Sequence, residues 1–460
     1  MLLIMKIKEF VCSFSLVASL FFSITTPAAT GVNCMSQLTD IDFIISSKNQ
    51  GLLRFENTSS EHNFSYQTDA SFTEYLDFAY QHIRQSNPRG AMPCPLPTAT
   101  YKQLVKQGSR PEEPNIADLI APFELRHPDN QKVILLVHGL TDSPFTYHDL
   151  AQIYFQQGYT VRTLLLPGHG TAPDALKNIS AQQWQQATDY AINRTIKDYK
   201  QVVLGGYSTG AALLINYLTT QPIVSENIKA LMLFSPASEP HNKNGWAAKW
   251  VDLIPFVNWI DKDADIDFAK YESFPWNAAA AADDAMRMIA LDHIDKRTFP
   301  AIPVFTALSD IDTTIDSKAT LALLSALHKI SPRNTHSLDT LVLYGDKNMI
   351  PSQFPDSYTI HNPQCRARHC EDIQGISHIA VVNSPSHPHY GINALYRNCG
   401  SYLDDETLYT LCKTTEKPTL GERTADNVAR FKPFQRLTFN PYFGELSNQI
   451  TLFLNAVEQQ

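Results

Sequence analysis

Gly206-Tyr207-Ser208-Thr209-Gly210 lies between the β-branched, apolar run Val202-Val203-Leu204 and the small, apolar run Ala211-Ala212-Leu213-Leu214-Ile215. A buried strand, a Gly-x-Ser-x-Gly turn and a helix in that order put a hydroxyl on a sharp strand-to-helix turn, where it can serve as a nucleophile. The flanking glycines leave room for the close backbone contacts that such a turn forces. By average residue usage, the five-residue pattern arises by chance about 0.15 times in a chain of this length. The turn alone therefore does not distinguish a reactive serine from a serine in an ordinary surface loop. A base, an acid and oxyanion donors elsewhere in the chain must decide it.

The elements that would position such partners begin at Phe123. Phe-Glu-Leu-Arg alternates as an edge strand does, and Val133-Ile134-Leu135-Leu136-Val137 is apolar throughout, as expected of a buried parallel strand. That strand ends in His138-Gly139-Leu140. A helical segment over residues 150–157 follows, then a strand over 160–166 and Pro167-Gly168-His169-Gly170. Alternating strands and helices, with Ser208 after the third strong strand, predict a mostly parallel, doubly wound α/β sheet.

Three pieces match the α/β-hydrolase family in order and spacing: His138-Gly139-Leu140, Leu166-Pro167-Gly168-His169-Gly170 and Gly206-Tyr207-Ser208-Thr209-Gly210. Within that family the chain resembles the carboxylesterase, monoacylglycerol lipase and lysophospholipase-like branch, over residues 123–378. The resemblance implies an α/β-hydrolase fold with a cap inserted between core strands, and a serine hydrolase acting on carboxylic esters without a cofactor or a metal. It implies Ser208 as nucleophile and an oxyanion hole from the backbone N–H groups of Leu140 and Thr209. His138 and His169 are expected to shape loops rather than to move protons.

The family order of Ser, acid, His directs the search for the remaining partners downstream. A buried strand over 302–308 ends in Ser309-Asp310-Ile311-Asp312-Thr313-Thr314. The resemblance favours Asp312 as the acid over Asp310, the other being a turn or cap residue. A further strand over 339–344 precedes Gly375-Ile376-Ser377-His378, whose likeness to the family's end motif makes His378 the candidate base. His387 and His389 are its rivals, because an unusually long detour carrying Cys365 and Cys370 separates His378 from the strand.

Four of the five tryptophans, Trp246, Trp250, Trp259 and Trp276, fall in the insert over 236–300. That segment reads as a cap whose inner face lines an apolar acyl pocket, against the plainer reading of aromatic core. Residues 31–120 form an N-terminal extension packed on the core, with one amphipathic helix through Phe72, Tyr75, Leu76, Ala79, Tyr80 and Ile83 and a Pro-rich connector over 87–97. Residues 121–460 make up the hydrolase domain. Residues 399–436 are polar and unlike the family core, and an apolar pattern from Tyr442 to Val457 reads as a closing helix.

Residues 1–30 have the pattern of an export signal: Lys6 and Lys8, an apolar run from Phe10 to Ile24, then small residues. Cys34 does not follow the sequence expected of a lipid-modified cysteine. Removing Cys12 with the signal leaves six of the seven cysteines, and six can pair in about 15 ways. Proximity favours Cys34 with Cys94, Cys365 with Cys370, and Cys399 with Cys412. Disulfides in an exported chain also take precedence over a zinc reading of His361, Cys365, His369 and Cys370. A net charge of −9 without a run of Lys or Arg in the body of the chain speaks against nucleic acid as a partner. The expected partner is an ester or lipid substrate, met in the periplasm or outside the cell, with transient contact to a lipid surface. The sequence does not specify an oligomeric state.

Overall fold

The computed structural model describes residues 32–50, 64–66, 69–128, 131–242, 257–332, 338–364 and 372–460. The expected signal over 1–30, the pairing of Cys365 with Cys370, the zinc alternative and Trp246 and Trp250 all involve residues outside this set. Residues 33–460 form one compact unit.

Its centre is an eight-stranded sheet. In chain order the strands are β1 (Glu124–Leu125), β2 (Lys132–Val137), β3 (Tyr159–Leu164), β4 (Gln201–Tyr207) and β5 (Ile228–Phe234). A short hairpin of β6 (Trp259–Asp261) and β7 (Phe274–Pro275) then intervenes before β8 (Val304–Ser309), β9 (Thr340–Tyr344) and β10 (Thr359–His361). The spatial order is β1-β3-β2-β4-β5-β8-β9-β10. Every neighbouring pair is parallel except β1 with β3, the edge strand read from Phe-Glu-Leu-Arg.

β2 and β4, at the middle, are buried on both faces, which is why their sequences run apolar rather than alternating. One face packs on helices Ala181–Asp198 and Thr209–Thr220, and the other on His148–Gln156 and Phe443–Glu458. The last of these is the expected closing helix, with Leu446, Ile450, Phe453 and Leu454 buried; Leu452 instead faces outward. β10 went unread in the sequence, because a three-residue, half-exposed edge strand leaves no apolar run.

The amphipathic helix near the N-terminus spans Phe72–Ser86 and is closed by a capping box between Ser71 and Glu74. It buries Phe72, Tyr75, Ala79 and Ile83, and the Tyr75 hydroxyl accepts a hydrogen bond from the Leu165 N–H at 2.9 Å. The Pro-rich connector is pinned by the Cys34–Cys94 disulfide, and Arg89 within it donates to the carbonyl oxygen of Asp265 at 2.6 Å. A second disulfide joins Cys399 and Cys412. Residues 372–436 contribute a small parallel sheet of β11 (Ile373–Gln374), β12 (Thr419–Gly421) and β13 (Phe434–Arg436), beside the main sheet's carboxyl edge near His378. Among the described residues no helix is long and apolar enough to cross a membrane.

Candidate active site

Ser208 follows β4 with φ 51° and ψ −120°, backbone angles that a residue with a Cβ seldom adopts. The turn is possible because its neighbours lack side chains. A Cβ on Gly210 would lie 2.0 Å from the carbonyl oxygen of Val137, and one on Gly206 would lie 2.6 Å from the Ala211 backbone. Glycine at both positions lets the helix Thr209–Thr220 start directly beneath β2 and aims the serine away from the sheet.

Two loops converge on it. His378 Nε2 lies 3.0 Å from Ser208 Oγ, and His378 Nδ1 lies 2.6 Å from Asp312 Oδ2. A carboxylate can only accept, so Nδ1 carries the ring proton and Nε2 is left to accept from the serine hydroxyl. The other oxygen of Asp312, Oδ1, accepts the backbone N–H groups of Thr314 at 2.7 Å and Ile315 at 2.9 Å, which fixes the carboxylate's rotation. All three side chains are buried.

The rivals lie elsewhere. Asp310 Oδ2 accepts the Asp346 N–H at 2.8 Å, and its carboxyl packs against Gly345, bracing the turn after β9. His387 Nδ1 accepts the N–H groups of His389 and Tyr390, and burial pushes its pKa well down. His389 Nε2 pairs with Asp267 Oδ1 at 3.0 Å.

Leu140 and Thr209 both border the cavity onto which Ser208 opens. Thr209 is the first residue of its helix, so its N–H belongs to the first turn that has no intrahelical acceptor. Gly139 is held so close that a Cβ there would come within 2.9 Å of Ser208 Cβ. Two neutral histidines shape the loop that carries Leu140. His138 Nε2 accepts the Leu166 N–H at 3.0 Å, and His169 Nε2 accepts the Thr141 N–H at 3.1 Å. Burial holds His138 well below its ordinary value and His169 at about 4.

The cavity measures about 330 Å³. Much of its apolar lining comes from the insert: Phe274, and Ala279, Ala282 and Met286 at successive turns of the helix Trp276–Met288. Among the described residues, neither Trp259 nor Trp276 is part of that lining; Trp259 lies under the Lys177 ammonium instead. Its polar lining includes Asp261, Asp263, Lys270, Glu272, Asn398 and Arg423. Glu272, which accepts from the Tyr396 hydroxyl, is raised to about 7 by burial and by the neighbouring Asp263.

Two residues next to the triad escaped the reading of the sequence. Glu422 Oε2 accepts the backbone N–H of His378 at 2.9 Å, and Arg436 pairs with both oxygens of Glu422 at 2.8 and 3.0 Å. They follow β12 and end β13, within the polar stretch over 399–436 that is unlike the family core. A buried ion pair produces no hydrophobic period, so its only signal is an acid and a base on short strands that nothing else requires.

A family model described as serine aminopeptidase, S33, matches residues 128–288. A thermostable monoacylglycerol lipase from Bacillus sp. (strain H-257) is 29% identical over 82 residues, which is 18% of this chain and 33% of that lipase. The aligned region thus spans a third of the length of that curated relative. Among solved structures, a Paleococcus ferrophilus monoacylglycerol lipase is 18% identical with a TM-score of 0.36, covering 53% of this chain and 89% of its own. Est1E from Butyrivibrio proteoclasticus with ferulic acid bound is 17% identical with a TM-score of 0.35, covering 51% and 89%. With the family model spanning β2 to the insert, and a parallel sheet whose fourth strand runs into Ser208 and the helix behind it, the chain has the α/β-hydrolase fold and resembles that family over this region.

Proposed function

We propose that the chain is an exported serine hydrolase that cleaves carboxylic esters with an apolar acyl group. The observation that carries this is the unbroken line of hydrogen bonds from Ser208 through His378 to Asp312, opening on a cavity with apolar lining from the insert. In this reading Ser208 Oγ attacks the acyl carbon as its proton passes to His378 Nε2. The carbonyl oxygen becomes an oxyanion held by the N–H groups of Leu140 and Thr209. Collapse breaks the bond to the alcohol, whose oxygen takes the proton from Nε2. Water then attacks the acyl-enzyme with His378 again as base, releasing the acid and restoring Ser208.

The relative named as a monoacylglycerol lipase supports an acylglycerol or a similar monoacyl ester as substrate. Residues 236–300 act as the cap, and the helix Trp276–Met288 within it is the acyl wall. Two disulfides fit an oxidising compartment, and with the signal pattern at the N-terminus they support export. The family model's description and the acid-rich lining of Asp261, Asp263 and Glu272 favour a second reading, cleavage at a free amino terminus.

The test is a panel of p-nitrophenyl esters from acetate to palmitate, a monoacylglycerol, a lysophospholipid and an aminoacyl p-nitroanilide, with covalent labelling by a fluorophosphonate. Turnover of the apolar esters with labelling is expected. Turnover of the anilide alone would favour the aminopeptidase reading, and an unlabelled, inactive protein would favour a binding module on a hydrolase fold. In the same panel, Ala282→Phe is expected to lower kcat/KM for the longest chains by about 10-fold or more and to spare the shortest.

A further inference from the structure

The C-terminal segment supplies no member of the triad, yet it reaches the two loops that carry His378 and Asp312. Glu422 is fully buried. One of its carboxylate oxygens accepts the His378 backbone N–H at 2.9 Å, and the other accepts the Arg423 N–H at 2.7 Å. Arg436 spans the same carboxylate with Nε and Nη2, and the Nη2 group also donates to Thr314 Oγ1 at 2.9 Å. Thr314 belongs to the loop that holds Asp312, its N–H being one of the two that fix the carboxylate. A chain of charge-assisted bonds thus runs from the base's backbone through Glu422 and Arg436 to the acid's loop.

We propose that the Glu422–Arg436 pair is a positioning device that sets the distance between His378 and Asp312, supplied by a segment outside the hydrolase core. The inference rests on the reading of Ser208, His378 and Asp312 as a catalytic triad.

Three features of the surroundings support it. Glu422 directly follows β12 and Arg436 ends β13; β12 pairs with both β11 and β13, and β11 is followed after three residues by His378. The stretch after β13 lies alongside the base's loop: Ser377 Oγ donates to the carbonyl oxygen of Leu437, and the Asn440 N–H donates to that of Asn383 at 2.9 Å. The 3-10 turn and helix tied together by the Cys399–Cys412 disulfide hold β13, with Gln435 Nε2 donating to the carbonyl oxygen of Cys412 and the Arg436 N–H to that of Asn398. Burial raises the Glu422 pKa, but the Arg436 charge and the bonds from Arg436 and two backbone N–H groups outweigh it and hold the group at about 2. The clamp is therefore ionised across the pH range in which an esterase is assayed.

A merely structural ion pair and a positioning pair differ in what survives its removal. Taking out Glu422 alone strands a buried guanidinium and threatens the fold, so the decisive protein is the full chain carrying Glu422→Leu and Arg436→Met together. That variant is expected to unfold near the wild-type temperature, with kcat for a p-nitrophenyl ester about 10- to 100-fold lower and KM within about twofold. Loss of that size is what a displacement of about 1 Å costs when it acts on a base far from the change itself. Glu422→Gln keeps an oxygen for the His378 N–H, so it should fall between wild type and the double variant, and the rate of fluorophosphonate labelling should follow the same order. Wild-type kcat in the folded double variant, or a loss confined to KM, overturns the proposal. If the double variant does not fold, Glu422→Gln decides alone: a kcat lowered about 10-fold at unchanged KM supports the clamp, and an unchanged kcat refutes it. If wild type itself takes no label at Ser208, the triad reading has failed rather than the clamp.

Discussion

Ser208→Ala is expected to lower kcat for the best ester by on the order of 10⁶-fold and to abolish fluorophosphonate labelling, while leaving a folded protein. The size follows from the way a triad works as a unit: without the nucleophile, the base and acid have nothing to activate, and only the oxyanion donors and substrate binding continue to act. Folding should be unaffected because Ser208 Oγ makes its hydrogen bond to His378, whose ring stays anchored through Asp312 and whose N–H stays on Glu422. KM should change little, since the cavity wall of Phe274, Ala282 and Met286 is untouched. A second substitution separates chemistry from backbone strain. The φ of 51° at Ser208 is unfavourable for Ser and Ala alike, and Gly adopts it freely. Ser208→Gly should therefore be as inactive as Ala but more stable than Ala by about 1 kcal/mol, read from the urea midpoint. Retained labelling in Ser208→Ala would move the nucleophile to another residue.

The core could be read in advance because its chemistry depends on strong local signals. β2, β4, β5, β8 and β9 are apolar runs bounded by turn residues, and buried parallel strands require that pattern. Ser208, Asp312 and His378 each follow such a run or its loop, so the order of strands already placed their neighbourhoods at one edge of the sheet. Choosing between Asp312 and Asp310 depended on likeness to a family, because two carboxylates two residues apart differ only in where the loop turns them. In space, one carboxylate meets His378 and the other meets the Asp346 N–H.

The insert was harder to read. Four of the chain's five tryptophans stand out in it, but the described ones pack elsewhere, and the cavity wall includes Ala279 and Ala282, whose small size makes room for a ligand. The C-terminal segment was illegible for a different reason. β11, β12 and β13 are two or three residues long, too short for any period, and the polar residues that make them consequential are the ones that composition assigns to the surface. Burial of Glu422 and Arg436 is a tertiary fact, set by the docking of the segment over 419–436 onto the loop that carries His378.

Asp312→Asn is expected to be nearly as damaging as loss of the nucleophile, on the order of 10⁴-fold in kcat, and the reason lies in the bonds around the carboxylate. Oδ1 is held by two backbone N–H groups, those of Thr314 and Ile315, and both need an acceptor. An asparagine at this position must therefore keep its oxygen there and turn its NH₂ toward His378 Nδ1. An NH₂ group donates, so Nδ1 is forced to accept and the ring proton moves to Nε2. His378 then presents N–H to Ser208 and cannot take the serine's proton, although every atom stands close to its original place. Asp310→Asn provides the contrast. Asp310 accepts the Asp346 N–H, a bond that an amide oxygen can also accept, so kcat should stay within a few-fold of wild type. The pair of variants, assayed on one ester and compared in melting temperature, separates a change of tautomer from general damage to the loop. A severe loss in Asp310→Asn with a mild one in Asp312→Asn would reverse the assignment of the acid. Equal mild losses would mean that His378 does not depend on a carboxylate to hold its proton at Nδ1.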